Sequence, residues 1–185
     1  GSGRDLGDLI DLLATVSQSS RSNVIQAITG VCRRADDRES CAKQVVSAMR
    51  SADGASKAEL MKTLASLGEA QEAVLASVKD NDEAVRIAAV RALAEWSNPA
   101  PIDELKRIAK AAEGPGAEVI RVLAVRGIVK LSMHPRGETS CRVGELADAL
   151  DLAKRPEEKR LVISALGKTH EIDSVEMLAS LLDRP

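Results

Sequence analysis

The sequence predicts an all-α protein, a superhelical stack of about five helix pairs plus a terminal helix. Three observations carry that prediction. Of its 185 residues 44% are hydrophobic but only 1% aromatic, with one Trp and no Phe or Tyr. A core made of Leu, Val, Ile and Ala suits close helix packing better than a twisted sheet, which favours aromatic and β-branched residues. Five stretches also superimpose without gaps, making Val31, Leu67, Leu93, Ile128 and Leu166 equivalent. They recur on average every roughly 34 residues, within the range of helical repeat arrays. Finally, each stretch is paired with a second amphipathic segment, and a stack of such pairs can bury the apolar faces that one pair alone leaves open.

Along the chain, Gly1-Ser2-Gly3 reads as a cloning scar and 4–185 as one repeat domain cut from a longer protein. Leu6–Val16 is amphipathic, and Val24–Cys32 follows as the first aligned segment, with Ile28 three residues before Val31. Cys41–Met49 opens the second pair; Asp53-Gly54 separates it from Leu60–Gly68, where Leu64 and Leu67 repeat the spacing. Glu72–Val78 leads to a turn whose Asp82 suits a helix N-cap, and Arg86–Ala94 carries Val90 and Leu93. Asn98-Pro99 precedes Ile102–Ala112, and Gly114-Pro115-Gly116 precedes Arg121–Val129 with Val125 and Ile128. His134-Pro135 ends that pair. Val143–Ala153 then runs to Pro156, at a position where a first helical turn accepts proline, ahead of Lys159–Gly167 with Ile163 and Leu166. Ser174–Leu182 is the terminal helix. Two mostly small sets flank the aliphatics: Gly30, Ser66, Ala92, Gly127 and Ala165, and Ala27, Thr63, Ala89, Ala124 and Val162. Large and small residues at i and i+3 describe one helical face that a neighbouring helix can approach closely.

The charges are 29% of the chain, of both signs and interspersed, with a net charge of −2. Nucleic-acid binding draws on clustered Lys and Arg and, for single strands, on aromatic stacking platforms, and the chain has neither. No apolar run approaches the ~20 residues that span a bilayer.

At 80–93, DNDEAVRIAAVRAL, the residues Asp80, Asp82, Val85, Arg86, Ala89 and Leu93 resemble the HEAT-repeat pattern: an Asp-bearing turn, then Val-Arg opening the second helix. Ile120-Arg121 and Glu158-Lys159 occupy the same two places later on. The resemblance implies a right-handed α-α superhelix and a ladder through Asp80, Asp82, Arg86, Arg121 and Lys159 that bridges neighbouring turns. It would be incomplete, because Val24 and Leu60 stand where the first two repeats need a base. Taken together, VCRRADDRESC, RALAEWSNPAPIDEL, RVLAVRGIVKLS and RPEEKRLVISALG resemble HEAT arrays of large multidomain bacterial proteins that are exported. Such arrays accompany sugar-hydrolase-like, dehydrogenase-like or c-type haem domains. The implied role is a non-catalytic scaffold or protein-protein interaction module, periplasmic or extracellular, monomeric as a fragment, whose partners are neighbouring domains of the same polypeptide.

No residue set demands a reaction. His134 and His170 are scattered relative to the three cysteines and lack metal-ligand spacing, so neither a metal nor another cofactor is expected. Gly167-Lys168-Thr169 follows a helix and lacks the upstream glycine of a phosphate loop; Gly167 reads as a helix C-terminal residue. The acidic pairs Asp36/Asp37, Asp80/Asp82 and Glu157/Glu158 fall at turns, where carboxylates cap amides. Arg91, Arg126 and Arg160 are possible contacts on a concave face, or solvated neighbours of the ladder. Trp96 is expected to pack over the 98–101 turn. The competing class is a ligand- or cofactor-handling enzyme resembling bilin lyases or DNA glycosylases, which requires a deep groove around a His or carboxylate of shifted pKa.

Cys32 and Cys41 flank the turn RRADDRES and would lie at neighbouring ends of antiparallel helices. A disulfide is then within reach and would agree with export, leaving Cys141 as the odd thiol. The alternative is a pair of reduced thiols.

Overall fold

A computed structural model describes residues 3–135 and 139–182, and every regular element among them is a helix. In order these are α1 (Gly3–Thr15), α2 (Gln18–Arg34), α3 (Arg38–Ser51), α4 (Gly54–Leu67), α5 (Gln71–Ser77), α6 (Glu83–Ala94), α7 (Ile102–Ala111), α8 (Ala117–Ser132), α9 (Thr139–Leu152), α10 (Pro156–Leu166) and α11 (Ile172–Leu182). Each helix expected from the amphipathic pattern is present. The chain forms two compact units, Gly1–Ser97 and Asn98–Pro185.

Short polar side chains start the helices where the sequence placed breakers. The Asp37 carboxylate accepts from the Ser40 amide at 2.8 Å, Asp53 from Ser56 at 2.9 Å, and Asp82 from Ala84 at 2.8 Å. Each satisfies an amide that has no partner inside the helix. Pro156 begins α10, whose first-turn Glu158 accepts from the Lys154 and Arg155 amides at 2.8 and 2.9 Å. Gly68 ends α4 at φ 75°, a left-handed conformation that glycine adopts without the Cβ clash.

In the first unit α2 packs on α4 and α4 on α6, while α1 packs on α3. Ile28, Leu60, Met61, Leu64, Val90 and Leu93 are fully buried along those contacts. The small positions permit the close approach: Thr29 and Thr63 share a hydrogen bond of 2.7 Å between α2 and α4. Trp96 is 2% exposed and belongs to this unit's core. In the second unit α8 packs on α10, α7 on α9 and α11 on α10, around Leu105, Val125, Ile128, Leu146 and Leu166.

One core assignment is corrected. Ile163 aligns with Ile28, Leu64, Val90 and Val125, all fully buried, yet it is 40% exposed. α10 meets its neighbours through Glu158, Val162, Ala165 and Leu166, so Ile163 lies off the packed stripe. Leu161, Ile172 and Val175 are exposed as well. Ala27 is also exposed, because α2 turns Val24, Ile25, Ile28 and Cys32 inward instead.

Candidate interaction surface

Within each unit, ion pairs tie one helix pair to the next, but mostly through residues other than those expected. Arg21 on α2 pairs with Asp53, the N-cap of α4. Lys57 on α4 reaches Asp80 in the turn before α6, with Nζ to Oδ2 at 3.2 Å. Arg21 and Lys57 stand at the same place in the aligned segments, ten residues before Val31 and Leu67. Glu118 occupies that place before Ile128 and makes the rung with the signs exchanged, its Oε1 accepting from Arg155 Nε at 2.9 Å. A base therefore does serve the first two segments, one helical turn ahead of Val24 and Leu60. The recurrence of a charge at that register was the signal available in the sequence.

Of the five expected ladder residues three meet at one turn, while Arg121 and Lys159 stand apart from them. Asp80, Asp82 and Arg86 meet at a single turn: the Asp82 amide donates to Asp80 Oδ1 at 3.0 Å, and Arg86 donates to the Asp80 and Asn81 carbonyls at 2.9 and 3.0 Å. Arg86 thus braces its own turn and does not bridge to a neighbour. The Asp82 amide above all, and then Lys57, hold the Asp80 carboxyl below the ordinary carboxylate range. The Ser56 amide does the same for Asp53, with burial opposing and Arg21 assisting. Arg121 approaches the buried Glu158 carboxylate at 3.9 Å. Lys159 is exposed and joins neither. Arg91, Arg126 and Arg160 are all exposed and make no ion pair among the described residues.

Among the open recesses of the first unit, two flank its central helices. One, of about 280 Å³, runs between α2 and α4 beside the Thr29–Thr63 bond, with Gln26, Arg33, Glu59 and Lys62 on its walls. The other, of about 650 Å³, lies between α3 and the start of α5, lined by Lys43, Val46, Arg50, Glu69 and Glu72 among others. It exists because α5 has only seven residues and is entered through Ala70 at φ 57°. A helix that short leaves the flank of α3 uncovered. Its walls carry both charge signs beside the apolar Ala42, Val46 and Ala73.

Among the described residues no group of three or more His, Cys, Asp or Glu side chains is arranged to hold a metal ion. No helix among them is long and apolar enough to cross a membrane. The disulfide expected between Cys32 and Cys41 is not formed: both are free, buried thiols at the adjoining ends of α2 and α3. Burial first, and then the neighbouring Cys41, pushes the Cys32 thiol up to about 12, so its apolar site favours the neutral, unreactive form. Cys141 is an exposed thiol. Neither a family model nor a curated protein matches the chain.

Proposed function

We propose that this chain is a HEAT-like, right-handed α-solenoid acting as a non-catalytic scaffold or protein-protein interaction module, which positions neighbouring domains of a larger, exported bacterial polypeptide. The observation that carries the proposal is the recurring rung, a charged residue at one register of α2, α4 and α8 paired with the turn or helix start that follows one helix pair later. Stacked repeats interact through nearest neighbours in this way, and their faces remain free for partners. In the first unit these recesses and Arg91, and in the second Arg126 and Arg160, are the contacts offered to a protein.

The test is isothermal titration of the full chain against the other domains of its parent polypeptide, alongside Arg50→Glu and Lys62→Glu variants. Saturable binding weakened at least about tenfold by one charge reversal at a central contact supports the scaffold. Heat-silent titrations against every domain, together with an empty pull-down using full-length bait, refute it. Gel shift with single- and double-stranded DNA and titration with haem or a bilin test the ligand-handling alternative, and saturable binding in any of these would transfer the assignment to that class.

A further inference from the structure

We propose that Cys32 and Cys41 form an oxidation site, a disulfide stapling the end of α2 to the start of α3 that is made only while this hairpin is open. Cys32 lies in the last turn of α2 and Cys41 in the first turns of α3, with Ala35, Asp36 and Asp37 as the whole connection between the two helices. The connection is held at both ends. The Ala35 amide donates to the Cys32 carbonyl at 3.3 Å, and the Cys41 amide to the Asp37 carbonyl at 3.3 Å. Both side chains are buried at these adjoining helix ends, and Cys41 is near enough to act on the Cys32 thiol.

The same burial that pairs the thiols protects them. Cys32 is 0% and Cys41 6% exposed. A small-molecule disulfide, RSSR, is the oxidant class. The Cys41 thiolate attacks one of its sulfurs, the S–S bond breaks, and RS⁻ leaves to take up the proton that Cys41 gave. The Cys32 thiolate then attacks the Cys41 sulfur of the mixed disulfide and releases the second RS⁻, which takes the proton from Cys32. Two cysteines lose two hydrogens and one RSSR becomes two RSH. The first step must seat an R group on a side chain that has almost no open surface. The second needs a Cys32 thiolate that the closed hairpin disfavours, with its thiol near 12. Parting α2 from α3 removes both obstacles. Oxidation therefore accompanies folding in a disulfide-forming compartment, and a chain folded in reduced form keeps its thiols.

The experiment uses the full chain carrying Cys141→Ser, which removes the exposed competitor. Glutathione disulfide buffer is either present during dilution from urea or added after reduced folding is complete. Alkylation and mass spectrometry then count thiols. The expected result is a Cys32–Cys41 cross-linked peptide after oxidative refolding, with the protein lighter by two hydrogens. Oxidation of the folded protein should be at least about tenfold slower and should accelerate in sub-denaturing urea, as for chemistry limited by local opening. The closed loop of about ten residues should raise the folding equilibrium constant about a hundredfold. Two alkylated thiols after oxidative refolding would overturn the site, and folded protein oxidising as fast as refolding protein would overturn the gating. Cys32→Ala/Cys41→Ala serves as control: a urea midpoint that still rises under oxidising conditions would show that the stabilisation comes from elsewhere and refute the staple.

Discussion

Ile128 and Ile163 allow one chemical deletion to be made twice in the same unit, at sites that only the tertiary structure distinguishes. Ile128 is fully buried, whereas Ile163 is 40% exposed. Replacing either with Ala strips the same three carbons, worth about 0.8 kcal/mol each when buried, or about 2.4 kcal/mol in transfer terms. At Ile128 a cavity is left among Val125, Leu131 and the facing helices, which brings the expected loss to about 3–4 kcal/mol. At Ile163 some three-fifths of the transfer term applies and water fills the space, so the loss should be about 1.4 kcal/mol. Both changes gain the same helix propensity, which cancels in the comparison. Native-state hydrogen exchange at α8 amides, with urea unfolding followed by circular dichroism, measures the difference of about 2 kcal/mol. Equal losses at the two sites would mean that Ile163 is covered in solution, refuting the packed stripe assigned to α10.

The remaining expectations concern charge and caps. Asp53→Ala should cost about 1–2 kcal/mol at neutral pH, because it removes both the α4 N-cap and the partner of Arg21, whereas Asp53→Asn should cost less. The folded pKa of Asp53 is depressed, so its stabilisation is fully present above the unfolded value of about 3.9 and is lost as pH falls through the lower folded value. An Asp53→Asn penalty that did not shrink between pH 5 and pH 2 would contradict this. Glu158→Ala should cost about 2–4 kcal/mol, since it strands two backbone amides and leaves Arg121 without its buried counter-charge; Glu158→Gln, which can still accept those amides, should cost clearly less in a urea titration. Glu118→Arg should lower the urea midpoint, and adding Arg155→Glu should recover it, because the exchanged pair reproduces the signs of Arg21 and Asp53. A double variant no better than the single would remove the rung at α8.

Most of the helices were legible because they are long and amphipathic and several begin or end at Asp, Gly or Pro, and local rules decide such elements without help from the rest of the chain. Asp37 and Asp82 cap as expected, Asp53 caps at what the sequence showed only as a breaker, and Gly167 follows the last residue of α10. The candidate surface was only half legible. Arg86 looks like a bridging residue in the sequence, but its guanidinium folds back onto the carbonyls of Asp80 and Asn81. Arg21 and Lys57 lie one helical turn before Val24 and Leu60, the positions where the HEAT pattern carries its base. What carries the rung is a long side chain one turn earlier, reaching a carboxylate 32 or 23 residues away.

By itself the sequence determined the helical class, the helix order, the caps and most of the aliphatic core, since period, propensity and capping act within a few residues. Whether Ile163 is covered, where Arg86 spends its hydrogen bonds, which carboxylates meet Arg21 and Lys57, and whether Cys32 and Cys41 face one another in a dry site were decided only by the tertiary structure. Each of these depends on which helices come to lie side by side and on how much water remains between them.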